Sequence, residues 1–122
     1  MPIMDWTFML ADGTIDIGAA TGRGDPVFVG EGPLQNIQVE VYIPGTVVAT
    51  TTLLIEQSAN DASYHTLYTF TVPAQTVAHT YFLTLTPWDH KYLNYNFSAI
   101  AGGSDLGYVQ IGLIIGEKPR TS

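Results

Sequence analysis

Residues able to catalyse or to ligate are few and scattered. His65, His79 and His90 fall in three separate turns or strand edges. None stands in an H-x-H or H-E-x-x-H spacing that would bring two imidazoles to one metal. They read as surface or edge histidines, and a metal-dependent β-fold enzyme would need all three to converge. Asp12-Gly13 and Asp25 set carboxylates among glycines, as calcium loops do, but no calcium-loop pattern surrounds them. Asx-turns explain the same residues. No serine occupies a G-x-S-x-G elbow. Arg23-Gly24-Asp25 is a tripeptide that some adhesion receptors read, although the following Pro26 makes a structural turn the stronger account. Asn96-Phe97-Ser98 is formally a glycosylation acceptor, placed inside an expected strand. The sequence therefore predicts no catalytic, cofactor-binding or metal-ligating residue.

Aromatic residues are more informative. Tyr92 and Tyr108 fall on the less apolar faces of their strands, with Trp88 in the turn just before Tyr92. Exposed rings stack on sugars or anchor protein interfaces; a face covered by the protein's own loops is the plainer account. Near the N-terminus Trp6, Phe8, Met9 and Leu10 either form an arm that anchors on a partner or a first strand that closes the chain's own sheet. Trp6, Phe8, Met9, Trp88, Tyr92 and Tyr108 are the candidate interface residues.

The elements that must position these rings are strands. In residues 90–116, Leu93, Tyr95, Phe97 and Ala99 alternate with Tyr92, Asn94, Asn96 and Ser98, and Val109, Ile111, Leu113 and Ile115 alternate with Tyr108, Gln110, Gly112 and Ile114. Period-two alternation places each set on one face of a sheet. The polar loop 101–105, with Gly102 and Gly103, is expected to reverse the chain into a hairpin. Upstream, short strands are expected at 7–10 and 14–17, with a turn at Asp12-Gly13, and a brief extended piece at 26–30. Longer ones follow at 37–43, 47–57, 66–72 and 80–86, punctuated by prolines and glycines. About eight strands with regular turn signals and no helical period predict an all-β, single-domain antiparallel β-sandwich, most simply a jelly roll, with an immunoglobulin-like topology left open by the pattern. The domain reading is an arm or first strand at 1–12, the sandwich at 13–116 and a polar tail at 117–122. Changes at Pro44 or Gly102 are expected to act through turns and folding.

At 122 residues the chain is one domain, large enough for a real core. It has no cysteine, which removes disulfides and thiolate chemistry together. The net charge is −7, with Arg23, Lys91, Lys118 and Arg120 the only basic residues, which speaks against nucleic acid and anionic membranes as partners. The N-terminus is expected to be neither a signal peptide nor a membrane span. Charged residues make up 12%, about half of what soluble domains carry. Charge depletion marks the centres of interfaces; a threonine-rich β surface is the other reading.

Laid out this way, the chain resembles the jelly-roll cement, or decoration, proteins on capsids of tailed phages, of the Bordetella-phage type. Ile15-Asp16-Ile17-Gly18 with Gly22-Arg23-Gly24-Asp25-Pro26 resembles that family's opening, Lys91-Tyr92-Leu93-Asn94-Tyr95 its basic-Tyr-Leu strand, and 107–115 its closing apolar strand. Lys91 stands where an arginine is expected and Asn94 where a basic residue is expected. The resemblance implies a non-enzymatic virion protein without cofactors, made in the host cytoplasm. It would sit on the outer capsid surface as a homodimer or homotrimer and bridge neighbouring major capsid protein subunits. A carbohydrate-binding jelly roll on a virion or tail is the alternative.

Overall fold

Alternating apolar residues resolve into nine strands in a computed structural model that describes residues 9–28, 37–60, 62–85 and 91–114. The strands are β1 (Met9–Asp16), β2 (Gly22–Arg23), β3 (Val27–Phe28), β4 (Ile37–Ile43), β5 (Thr51–Ser58), β6 (His65–Val72), β7 (His79–Leu85), β8 (Tyr92–Ala99) and β9 (Tyr108–Ile114). One sheet, A, runs β1-β9-β4-β7; the other, B, runs β2-β8-β5-β6, with β3 also on β8. All the pairings are antiparallel. β2 and β3 share one neighbour and are parted by Gly24-Asp25-Pro26, so together they fill one strand position. The result is eight positions in two sheets of four, the jelly-roll β-sandwich that the turn spacing predicts.

The inward rows form the core: Val39, Val41 and Ile43 from β4, Leu53 and Ile55 from β5, Leu83 and Leu85 from β7, Leu93, Tyr95 and Phe97 from β8, and Val109, Ile111 and Leu113 from β9. Among the described residues Phe97 is the largest side chain fully out of solvent. Losing such a ring to alanine costs about 3–5 kcal/mol.

Two expectations are corrected. β8 and β9 do not pair as a hairpin: β8 lies between β5 and β2 in one sheet, β9 between β1 and β4 in the other. Alternation fixes which face a residue takes, not which strand lies alongside. The connecting loop instead crosses the sandwich, and its Leu106 is buried. Nor does the chain reverse at Asp12-Gly13. Asp12 Oδ1 accepts hydrogen bonds from the Thr14 amide (3.1 Å) and hydroxyl (2.6 Å), and Gly13 takes a φ of 84°. This local turn bulges β1 against β9 without ending it, so the strand straddles residue 12.

Four sheet-to-sheet connections are laced at one end of the sandwich. Gly45 and Thr46 donate to the carbonyls of Leu106 and Asp105 (2.9 and 2.7 Å), Asp105 donates to Thr46, and Leu106 donates to Gly18. Val47 and Gln75 exchange backbone bonds. The buried Gln75 side chain donates through Nε2 to the carbonyls of Ile43, Gly45 and Val77 and accepts from the Tyr81 hydroxyl at 2.6 Å. A Cβ on Gly45 would lie 1.9 Å from the Asp105 carbonyl oxygen, whereas a Cβ on Gly102 would meet nothing within 4 Å. The constrained glycine is thus Gly45, and Gly102 is not the sensitive position that the sequence suggests.

Gly45→Ala is expected to destabilise the fold by about 3 kcal/mol or more, and Gly102→Ala to stay within about 0.5 kcal/mol of wild type, read from urea midpoints. Burial pushes the Tyr95 and Tyr81 phenols above their usual range, with Asp25 and Asp12 adding to the effect at Tyr95. The native state then holds protons that the unfolded chain releases. The stability these groups confer is complete below a pH of about 10 and falls as pH rises through the folded values. Alkaline titration of the unfolding midpoint should show that fall, and Tyr95→Phe should flatten it.

Candidate functional site

Outer residues of sheet A follow from strand parity. β4 presents Gln38, Glu40 and Tyr42, and β7 presents Thr84, Phe82 and Thr80 opposite them. On the far side of β4, Gly112 lies opposite Glu40 and Gln110 opposite Tyr42. Phe82 and Tyr42 are diagonal neighbours, a geometry that separates residues by about 7–8 Å. Phe82 and Tyr108 are each 54% exposed. Glu40 is the one Asp, Glu, Lys or Arg in β4, β7 and β9 together. Over these three strands the face is therefore open, aromatic and nearly uncharged, while β1 adds Asp12 opposite Gln110 and Asp16 opposite Tyr108 at its margin.

Sheet B presents a different outer face. Glu56 is buried at 4% exposure although it points away from the core. Arg23 Nε donates to its Oε1 at 2.6 Å, and Arg23 Nη2 and Asn96 Nδ2 each reach Oε2 at 3.3 Å. The guanidinium lies 4.8 Å from the centroid of the Tyr64 ring. Pairing with Glu56 holds Arg23 above the ordinary guanidinium range. β2 brings Arg23 there by pairing with Asn96. The turn after it is fixed because a Cβ on Gly24 would lie 2.2 Å from the Tyr95 ring. Asn94 Nδ2 donates to the Gly24 carbonyl at 2.8 Å. Arg23-Gly24-Asp25 is thus a structural segment whose arginine is tied back onto the sheet. Further along, Phe28 and Tyr92 meet edge to face with centroids 5.5 Å apart.

The candidate residues do not gather in one place. Tyr108 stands on the outer face of sheet A, Tyr92 on that of sheet B against Phe28, and Met9 is half-buried opposite Gly112. Trp6, Phe8 and Trp88 lie outside the described residues, as does His90. His65 opens β6 and His79 opens β7. Among the described residues no three His, Cys, Asp or Glu side chains are grouped to hold a metal. Sequence reasoning missed Phe82 and the Arg23–Glu56 pair. Phe82 was legible as the polar-face position of its strand; the ion pair, 33 residues apart in sequence, was not.

No family model matches the chain, and no curated protein does. Among solved structures, it is similar to the carbohydrate binding module CBM6cm-2 from Cellvibrio mixtus lichenase 5A, solved in complex with cellotriose. That likeness has 22% identity and a TM-score of 0.47 over 80% of this chain and 72% of that one. A CBM4 structure is similar at 17% identity and a TM-score of 0.40, over 86% and 75%. Neither likeness assigns a ligand.

A double-mutant cycle tests the pair between the exposed Arg23 and the buried Glu56. Arg23→Ala is expected to cost about 1–2 kcal/mol, since it leaves the Glu56 carboxylate with Asn96 alone. Arg23→Ala with Glu56→Ala should cost less than the two single changes added, read from urea midpoints.

Proposed function

We propose that this chain is a capsid cement protein: a structural virion protein that binds the outer face of a phage shell and bridges major capsid subunits against the pressure of packed DNA. The observation that carries the reading is the outer face of sheet A over β4, β7 and β9. There a soluble domain of ordinary composition would carry about five charges; here Glu40 is the one charged residue, beside Tyr42 and Phe82, and the carboxylates Asp12 and Asp16 are confined to β1 at the margin of the face, Asp16 opposite Tyr108. Charge-poor surfaces with exposed aromatics suit contact with protein. The motifs behind the resemblance also meet in space. β2 and β3 both lie on the strand that follows Lys91, and Ile17 donates to Gly107 at 2.9 Å.

A second reading, a carbohydrate-binding jelly roll on a virion or tail, is favoured by the outer face of sheet B. There Phe28 is 60% exposed and meets Tyr92 edge to face. Exposed rings suit stacking on a sugar.

Quantitative mass spectrometry of purified particles decides between them. The cement reading expects a copy number equal to that of the major capsid protein, or a simple fraction of it. A handful of copies with direct glycan binding would replace it with the second reading, and absence from particles would overturn both. In decorated particles, Tyr108→Ala is expected to lower heat resistance modestly while the protein stays bound, because many weak contacts act together.

A further inference from the structure

On one side of the sandwich the two sheets part. Between β1, at the edge of sheet A, and the Gly24-Asp25-Pro26 turn beside β8 lies a cavity of about 190 Å³. That is several times the roughly 30 Å³ share of one water. Leu10, Ile17 and Val27 give it an apolar wall. Asp12 lines it from the bulge of β1 and Asp25 from the facing turn, and both residues are exposed. Tyr95 lines it from the core and is only 6% exposed. The phenol end of that ring reaches the turn, since a Cβ on Gly24 would lie 2.7 Å from Oη.

Three polar groups here are left open by the fold. The backbone amide and carbonyl of Tyr95 are bonded, but among the described residues its hydroxyl has no hydrogen-bond partner. A buried hydroxyl in that position gains from any group that meets it. Burial raises its pKa and the Asp25 and Asp12 charges add to the rise, so both carboxylates act on this one hydroxyl. Asp12 spends Oδ1 on Thr14 and keeps Oδ2 free. Among the described residues neither carboxylate has a basic partner, and the neighbouring Arg23 is held by Glu56.

We propose that this cavity receives the side chain of a lysine from a partner protein, its methylenes against the apolar wall and its ammonium among Asp12, Asp25 and Tyr95. An ammonium carries three donors and no acceptor. Three acceptors on three separate segments, two of them anionic, match it. Lysine stems lie along apolar surface while the charged head keeps polar company. A planar arginine fork suits a single carboxylate met in its plane, whereas acceptors arranged around a point suit a compact ammonium. A bare divalent cation needs six or more oxygen ligands, and the apolar wall offers it none. The net charge of −7 draws a basic group towards the protein. The protein source of the lysine rests on the contact reading above; the ammonium pocket does not.

The test is an NMR titration of the full chain with Nα-acetyl-lysine N-methylamide, with sodium chloride holding the ionic strength constant. Saturable shifts are expected at Asp12, Asp25 and Tyr95, with a dissociation constant on the order of 1–10 mM. The Nε-acetylated compound, which lacks the charge, should give none. Asp25→Asn should weaken binding about tenfold and Tyr95→Phe about fivefold. Asp25 is exposed and the Tyr95 phenol has no bond to lose, so both variants should fold, as circular dichroism will check. Absence of a saturable shift, equal binding of the acetylated compound, or full affinity in Tyr95→Phe would each overturn the proposal. So would calcium chloride that saturates the same signals below about 1 mM, which would make this a metal site. Cadaverine binding about tenfold tighter than the lysine compound would overturn the protein source in favour of a free amine. Copy number in particles is a separate readout, so a failed titration and a failed cement reading are told apart.

Discussion

The fold depends on one close approach, that of the β4–β5 connection to the β8–β9 connection. Gly45 sits where no side-chain carbon fits, since a Cβ there would lie 1.9 Å from the Asp105 carbonyl oxygen, and this lets Gly45 donate to Leu106 while Thr46 and Asp105 exchange backbone bonds. The same segment holds Gln75, whose side chain closes on Ile43, Gly45 and Val77, and Leu106 reaches back to Gly18. A jelly roll must carry its chain between sheets repeatedly, and every crossing exposes backbone groups that a sheet would have paired. Here those groups pair with one another. A buried polar group left unmatched costs about 1–3 kcal/mol, so the lacing offsets a substantial penalty.

From that anchored end the edges follow. Ile43 ends β4 beside Gln75, and His79 opens β7 four residues after it, so the β4–β7 pair is held close to its first rung. Seven residues then pair without a slip, which leaves β7 straight and regular. β1 enters the other side of the same sheet with a side-chain turn at Asp12 and loses register twice. One edge of sheet A is therefore kinked and acidic, and the other smooth and uncharged. The two edges of one sheet thus differ in both register and charge.

Much of this was legible in the residues, and the limit of legibility is physical. Apolar alternation in Ile37–Ile43 and Tyr92–Ala99 names the inward rows, because a pleat has a period of two whatever surrounds it. Partners are another matter: β8 and β9 have matching patterns and a glycine loop between them, yet lie in opposite sheets. A two-residue signal such as Asp12-Gly13 marks a local turn but not whether the chain reverses or bulges. Gly102 is as visible in sequence as Gly45, and only the packing of Asp105 distinguishes them. The outer-face aromatics Tyr92 and Tyr108 could be placed from parity; the Arg23–Glu56 pair depends on a register between β2, β8 and β5 that no local pattern encodes.

This division bears on what the motifs of the sequence can say about function. Arg23, Gly24 and Asn94 are spent on the fold. The arginine neutralises a buried carboxylate, the glycine lies against Tyr95, and the asparagine holds the Gly24 carbonyl. Residues occupied in this way hold the architecture and leave little free for anything else. The fold leaves other positions unconstrained, among them Phe82, Tyr108, Thr80 and Thr84 on sheet A and Phe28 on sheet B. A surface that the core leaves free can change without disturbing the sandwich, so the residues that fix the fold and those open to a contact are largely different sets.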